Sequence, residues 1–119
     1  MSSPSFRRVV IAATFGFAAM ASPLLAASGQ DAALIEKGKA VYAAQKCSMC
    51  HIIEGKGKTN PLDGVGKKLT ADEIRQWIVN PTEMTKKTGS TKKPPMPNKY
   101  SKLPAADIDA LVAYLASLK

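Results

Sequence analysis

Residues 47 to 51 read CSMCH and hold both cysteines and the one histidine of a 119-residue chain. Thiolate sulfur and imidazole nitrogen bind soft and borderline metals well, so this cluster is the place to look for chemistry. Three readings fit the spacing. The thiols can close a disulfide, the three donors can form part of a metal knuckle, or the segment can anchor a cofactor. The rest of the chain decides among them.

The N-terminus reads as an address. Arg7 and Arg8 precede VVIAATFGFAAMA, Val9 to Ala21, in which Thr14 is the one polar side chain. Small residues in LLAASG then suit a signal-peptidase cut near Ala27 or Ser28. The apolar run falls short of the roughly 20 residues that cross a bilayer as a helix. We therefore expect residues 1–27 to be a cleaved signal peptide, residues 28–119 to be one domain, and the mature protein to be periplasmic, with an uncleaved anchor as the alternative. No Cys lies near the cut, which rules out a bacterial lipoprotein, and the residues around the Arg pair fit a twin-arginine signal poorly.

Export narrows the reading of CSMCH. A thioredoxin-like redox motif shares the Cys47–Cys50 spacing but needs a βαβ setting, and no alternating β-branched strand is visible nearby. A structural zinc site takes four protein ligands, and the chain offers three N or S donors. Covalent haem attachment through Cys-x-x-Cys-His remains. Each thiol can bond one vinyl group, and the adjoining His51 can then reach the iron from below the porphyrin.

Three helices are expected around this anchor. The first, roughly Asp31 to Gln45, puts Leu34, Gly38, Val41 and Tyr42 on one face. A glycine inside a helix costs about 1 kcal/mol relative to alanine, so Gly38 signals a close backbone approach. The second begins at TADE, where Thr70 can cap and Glu73 can complete a capping box, and it stops before Pro81. The third starts near Pro104 and carries Ile108, Leu111, Val112, Leu115 and Leu118 as an apolar stripe. No segment reads as a strand. Two long connections, Ile52 to Lys68 and Asn80 to Lys102, are too long to be structureless in a small domain unless they wrap a cofactor.

The mature chain resembles a small, soluble class I cytochrome c along essentially its whole length. The residues that carry the resemblance are CSMCH, the Gly38…Tyr42 pair before it, PLDGVG after it, and PPMP ahead of the final LVAYL helix. The resemblance implies an all-α cytochrome c fold, about three main helices with long loops wrapped around one covalently attached haem c. It also implies that Gly38 and Tyr42 meet Leu111 and Tyr114 where the terminal helices cross.

Iron that shuttles electrons needs a sixth ligand, and no second His exists. Met1 and Met20 leave with the leader, and Met49 sits between the anchored cysteines. Met84 lies among Glu83, Thr85 and Lys86 and reads as exposed loop. Met96 is held by Pro94, Pro95 and Pro97, whose fixed φ angles stiffen the segment. Soft sulfur raises the reduction potential, and the family's distal Met falls at the same place, so Met96 is the expected distal ligand and His51 the proximal one. The resemblance puts the carbonyl of Pro61 on the second ring nitrogen of His51, the kind of bond that orients a ligating imidazole. Trp77 either donates its indole N–H to a haem propionate or fills the core. Tyr100 is open between haem packing and loop anchoring.

Seventeen Lys and Arg stand against nine Asp and Glu, a net charge of +8 that becomes +6 once Arg7 and Arg8 leave. Most of the lysines flank the anchor or lie in the two connections. Around an exposed haem edge they would steer a monomer towards acidic redox proteins, with at most a weak attraction to anionic membrane. Nucleic acid is a poor partner, because the basic loops lack interleaved aromatics. The expected function is one-electron carriage rather than catalysis. The alternatives are a fixed haem c subunit of a dehydrogenase or oxidase, and an open-site haem enzyme or ligand sensor. The enzyme would need a distal acid or base, and Arg75 is the one arginine left in the mature chain.

Overall fold

The computed structural model describes residues 24–119, with side chains from residue 31 onward. Of the expected export signal, residues 1–27, the first 23 lie outside the described residues and the last four begin the first helix. No described helix is long and apolar enough to cross a membrane.

Two helices set the frame. Helix α1 spans Leu24–Ala44 and α5 spans Ala105–Ser117. On α1, Gly38 and Val41 are buried and Leu34, Ile35 and Tyr42 half-buried, a single face at helical spacing. On α5, Ile108, Leu111, Val112 and Leu115 are buried. The two faces cross at Gly38, which lies against Ala110 and Tyr114. Tyr42 and Tyr114 close the crossing edge to face, with ring centroids 5.8 Å apart at 78°. The contact expected at this crossing is therefore present, with Ala110 rather than Leu111 directly beneath the glycine.

The short helix α2, Val65–Lys68, leads into α3, Ala71–Val79. Helix α3 begins where TADE indicates. The Glu73 N–H donates to Thr70 Oγ1 at 3.2 Å, and the Thr70 N–H donates back to Glu73 Oε2 at 2.8 Å. Ile74 and Ile78 face inward and join Val41, Ile53 and the α5 stripe in one core. Outside the core, Arg75 pairs with Asp109, and Lys37 reaches Asp107 at 3.0 Å, so α3 and α1 are each tied to α5.

The second connection is not structureless. Helix α4 spans Pro81–Thr88 and follows α3 after the single residue Asn80. Pro81 supplies a preset φ at the first helical position, and Gly89 ends the helix with its N–H on the Lys86 carbonyl at 3.3 Å. This corrects the reading of Met84. It is buried on the inner face of α4 rather than exposed in a loop.

The chain also makes two strands of two residues each, which periodicity cannot reveal. Strand β1, His51–Ile52, pairs in parallel with β2, Asn60–Pro61, with His51 opposite Asn60. The intervening loop folds back so tightly that Gly57, at φ 129°, rests on the His51 carbonyl, where a Cβ has no room. The architecture is the expected all-α one, with this small β pair set directly after the cysteines.

Candidate functional site

A cavity of about 880 Å³ opens inside the frame of α1, α3, α5 and the two connections. Cys47, Cys50, His51, Trp77, Met96 and Tyr100 all line it. Leu62, Val65, Leu69, Ile74, Leu111 and Leu115 make its apolar walls. Every residue singled out in the sequence for a cofactor, Pro61 excepted, is brought together here.

His51 is held from both sides. Its Nδ1 stands 3.3 Å from the Asn60 carbonyl. A carbonyl can only accept, so Nδ1 carries the proton and Nε2 keeps its lone pair for a metal. The Tyr42 hydroxyl donates to the His51 carbonyl at 3.4 Å, and burial pushes that phenol up to about 12. Burial also lowers the His51 ring, against a smaller upward pull from its bond to Asn60, which favours the neutral form a ligand requires. The orienting carbonyl thus belongs to Asn60 and not to Pro61, which is exposed one residue further on. The register of β1 with β2 decides this, because it sets Asn60 directly opposite His51.

The thiols sit on a single tight turn. Cys47–Met49 form one turn of 3-10 helix, entered through Lys46 in the left-handed conformation at φ 56°. The Cys50 N–H closes it on the Cys47 carbonyl at 3.1 Å. The two cysteines are not joined to each other; Cys47 is half-buried and Cys50 exposed. Burial pushes the Cys47 thiol up to about 11. Among the described residues, no group of three or more His, Cys, Asp and Glu side chains converges as a metal site would require. The donors of CSMCH are instead spread along the cavity wall.

Of the described methionines, Met49 and Met96 line the cavity and the buried Met84 does not. Met96 is half-buried in its proline-rich segment. Trp77 and Tyr100 are both half-buried in the walls, and the Lys99 ammonium lies 5.1 Å from the centre of the Tyr100 ring.

The family model for cytochrome c matches residues 35–119, which contain CSMCH, the whole cavity lining, the second half of α1 with Gly38, and all of α5. The chain belongs to the cytochrome c family. No curated protein and no solved structure matches it in the other two comparisons. As a cytochrome c it carries haem c, an iron porphyrin bound covalently, and its role is electron transfer. The residues fit that group. The cavity is apolar and roomy, two thiols line it at the attachment spacing, and a neutral imidazole stands beside them with a free Nε2. Lys46, Lys68, Lys92 and Lys99 also line the cavity of this cytochrome c, while Asp, Glu and Arg are missing from its described lining. Arg75 is held by Asp109 on the α3–α5 surface.

Sequence reasoning missed two contributors. Helix α4 places Thr85 and Thr88 in the cavity wall, and the pairing of Pro81 at its start with Gly89 at its end was the available signal. The Asn60 carbonyl had no signal in residue types, because it is a backbone atom brought in by strand register.

Proposed function

We propose that this cytochrome c is an exported, diffusible one-electron carrier with His51 and Met96 as axial ligands. The observation that carries the ligand choice is that Met96 lines the cavity and Met84 does not. Met49 also lines it, but it lies on the attachment turn between the two thiols, two residues from His51 in the chain. Haem c, when bound, supplies an iron that alternates between ferric and ferrous states. The protein's own residues fix the conditions. Cys47 and Cys50 tether the group, and Asn60 orients the His51 ring through its carbonyl. The Met96 thioether favours the reduced form, and the apolar walls keep water out. With His51 and Met96 both holding the iron, nothing but an electron would need to pass.

A catalytic haem is disfavoured by the same lining, since among the described residues there no carboxylate, and no histidine beyond the ligating His51, stands ready as a distal acid or base. A permanent subunit is disfavoured by the surface. Met49, 58% exposed, is the one exposed large hydrophobic among the described residues, so it stands alone rather than within an apolar patch. The lysines of the cavity rim instead suit brief docking to acidic redox proteins.

The test is ligand access. The ferrous holoprotein should resist carbon monoxide, and the ferric form should show the weak sulfur-to-iron band. Met96→Ala should lose that band, admit carbon monoxide and lower the reduction potential, whereas Met84→Ala should keep all three properties. Ready carbon monoxide binding by the wild type, or a larger effect from Met84→Ala, overturns the assignment.

A further inference from the structure

Thr82 Oγ1 donates to Asn98 Oδ1 at 3.1 Å across 16 residues of sequence. The bond joins α4 to the residue two positions beyond Met96. Both of its ends are anchored. Thr82 follows Pro81, one of the most deeply buried side chains described, and the inward-facing Met84 fixes the same end of α4. Asn98 opens a 3-10 turn over Asn98–Lys102, and its carbonyl accepts from Ser101 Oγ at 2.8 Å.

Beside this bond lies a second, smaller cleft of about 350 Å³, lined by Thr82, Thr85, Lys86, Met96, Asn98 and the two flanking prolines Pro95 and Pro97. Thr85, Pro95, Met96 and Pro97 line both the cleft and the large cavity, so they form the partition between them. The Met96 segment therefore has open space on its far side. The prolines stiffen the segment internally, but they cannot fix where it stands as a body. That requires a tie to another element.

We infer that Thr82 is a positioning residue, whose hydroxyl latches the Met96 segment through Asn98 and keeps the thioether in the large cavity rather than letting it swing towards the cleft. The inference rests on Met96 being the distal ligand. With the latch intact, the thioether is preorganised for iron and small ligands compete poorly. With it open, the segment has room to move, and an exogenous base can take the sixth position without the fold coming apart. Hydrogen bonds at a surface contribute modestly, so the effect is a graded one on ligand exchange and not an all-or-none loss.

The experiment titrates ferric holoprotein with imidazole and follows loss of the sulfur-to-iron band, in the wild type, Thr82→Val, Thr82→Ser and Met96→Ala. Valine keeps the shape of threonine and removes the hydroxyl; serine keeps the hydroxyl. Thr82→Val should bind imidazole roughly 2- to 10-fold more tightly than wild type, the range one net hydrogen bond supplies. Thr82→Ser should stay close to wild type, and the loss of folding stability of Thr82→Val in guanidinium should be no larger than its gain in imidazole affinity, because both report the same single bond. Equal imidazole affinity in Thr82→Val and wild type overturns the latch while leaving Met96 as ligand. A loss of folding stability in Thr82→Val several-fold larger than the gain in imidazole affinity also overturns it, because the residue then supports the whole fold rather than the segment. A wild type that lacks the band and binds imidazole as readily as Met96→Ala removes the ligand assignment, and the latch with it.

Discussion

Gly38 leaves no room between itself and Tyr114: a Cβ added at residue 38 would stand 2.6 Å from the Tyr114 Cβ and overlap the Ala110 carbonyl. The crossing of α1 and α5 therefore depends on a missing side chain. Gly38→Ala gains up to about 1 kcal/mol in helix propensity. Forcing a methyl group into a packed crossing costs about 1–3 kcal/mol, and here the obstacle is backbone, which cannot rotate aside. The denaturation midpoint of the holoprotein should fall while its haem content stays at one per chain. A midpoint equal to or above wild type would contradict this account of the crossing.

How far the sequence revealed the molecule depended on the kind of signal. Gly38, the α5 stripe and the Thr70–Glu73 box are legible because each is local or periodic, and the structure places them as read, except that Leu118, the last residue of the stripe, falls just past the end of α5 and is half-buried. CSMCH is legible because its residue types are rare in this composition, and Met96 because three prolines set it apart from the other methionines; all of them but Ser48 line one cavity. Helix α4 was hidden because Met84 and Pro81 are its only buried residues, too few for a period to show. The Asn60 bond to His51 was hidden for a different reason. It belongs to the register of a two-residue strand pair, which side-chain types do not encode.

Attachment is tested by chemistry rather than stability. If Cys47 and Cys50 each hold one haem vinyl, haem should remain with the denatured chain after extraction into acidified solvent. The intact mass should exceed that of the chain by one haem. Cys47→Ser and Cys50→Ser should each retain a single linkage, and the double variant should release its haem into the solvent. Extractable haem from the wild type, made in a host that matures haem c, would remove covalent attachment.

The capping box of α3 gives the molecule one readable acid response. The Thr70 backbone N–H, and then its hydroxyl, hold the Glu73 carboxylate below its ordinary value. A depressed acid stabilises the folded state above the unfolded carboxylate value, about 4.3, and that contribution fades as pH falls through the lower folded value. Thr70→Ala should cost about 0.5–2 kcal/mol at neutral pH. Glu73→Gln should instead preserve most of the neutral-pH stability and flatten the profile below about pH 4.3. Denaturation midpoints of the two variants across the acid range decide the matter. An unchanged acid slope in Glu73→Gln would assign the loss to another carboxylate.

Docking should depend on where a lysine sits, not on how many there are. Lys46, Lys68, Lys92 and Lys99 line the cavity that fits the haem, whereas Lys39 lies on α1 and is taken up by Glu36. Charges around the point of electron exit raise the local concentration of an anionic partner; charges elsewhere contribute little beyond net charge. Replacing the four rim lysines with glutamine should slow oxidation of the ferrous protein by hexacyanoferrate(III), by roughly tenfold at low salt. The same change should speed the reaction with a cationic ruthenium ammine. Lys39→Gln should alter neither rate by more than a small factor. Both rim effects should shrink towards 0.1 M ionic strength and above, where screening acts beyond about 10 Å. A stopped-flow series that finds the rim and Lys39 variants equivalent, or rates indifferent to salt, would transfer docking from the lysines to an apolar contact, for which the exposed Met49 beside the thiols is the available surface.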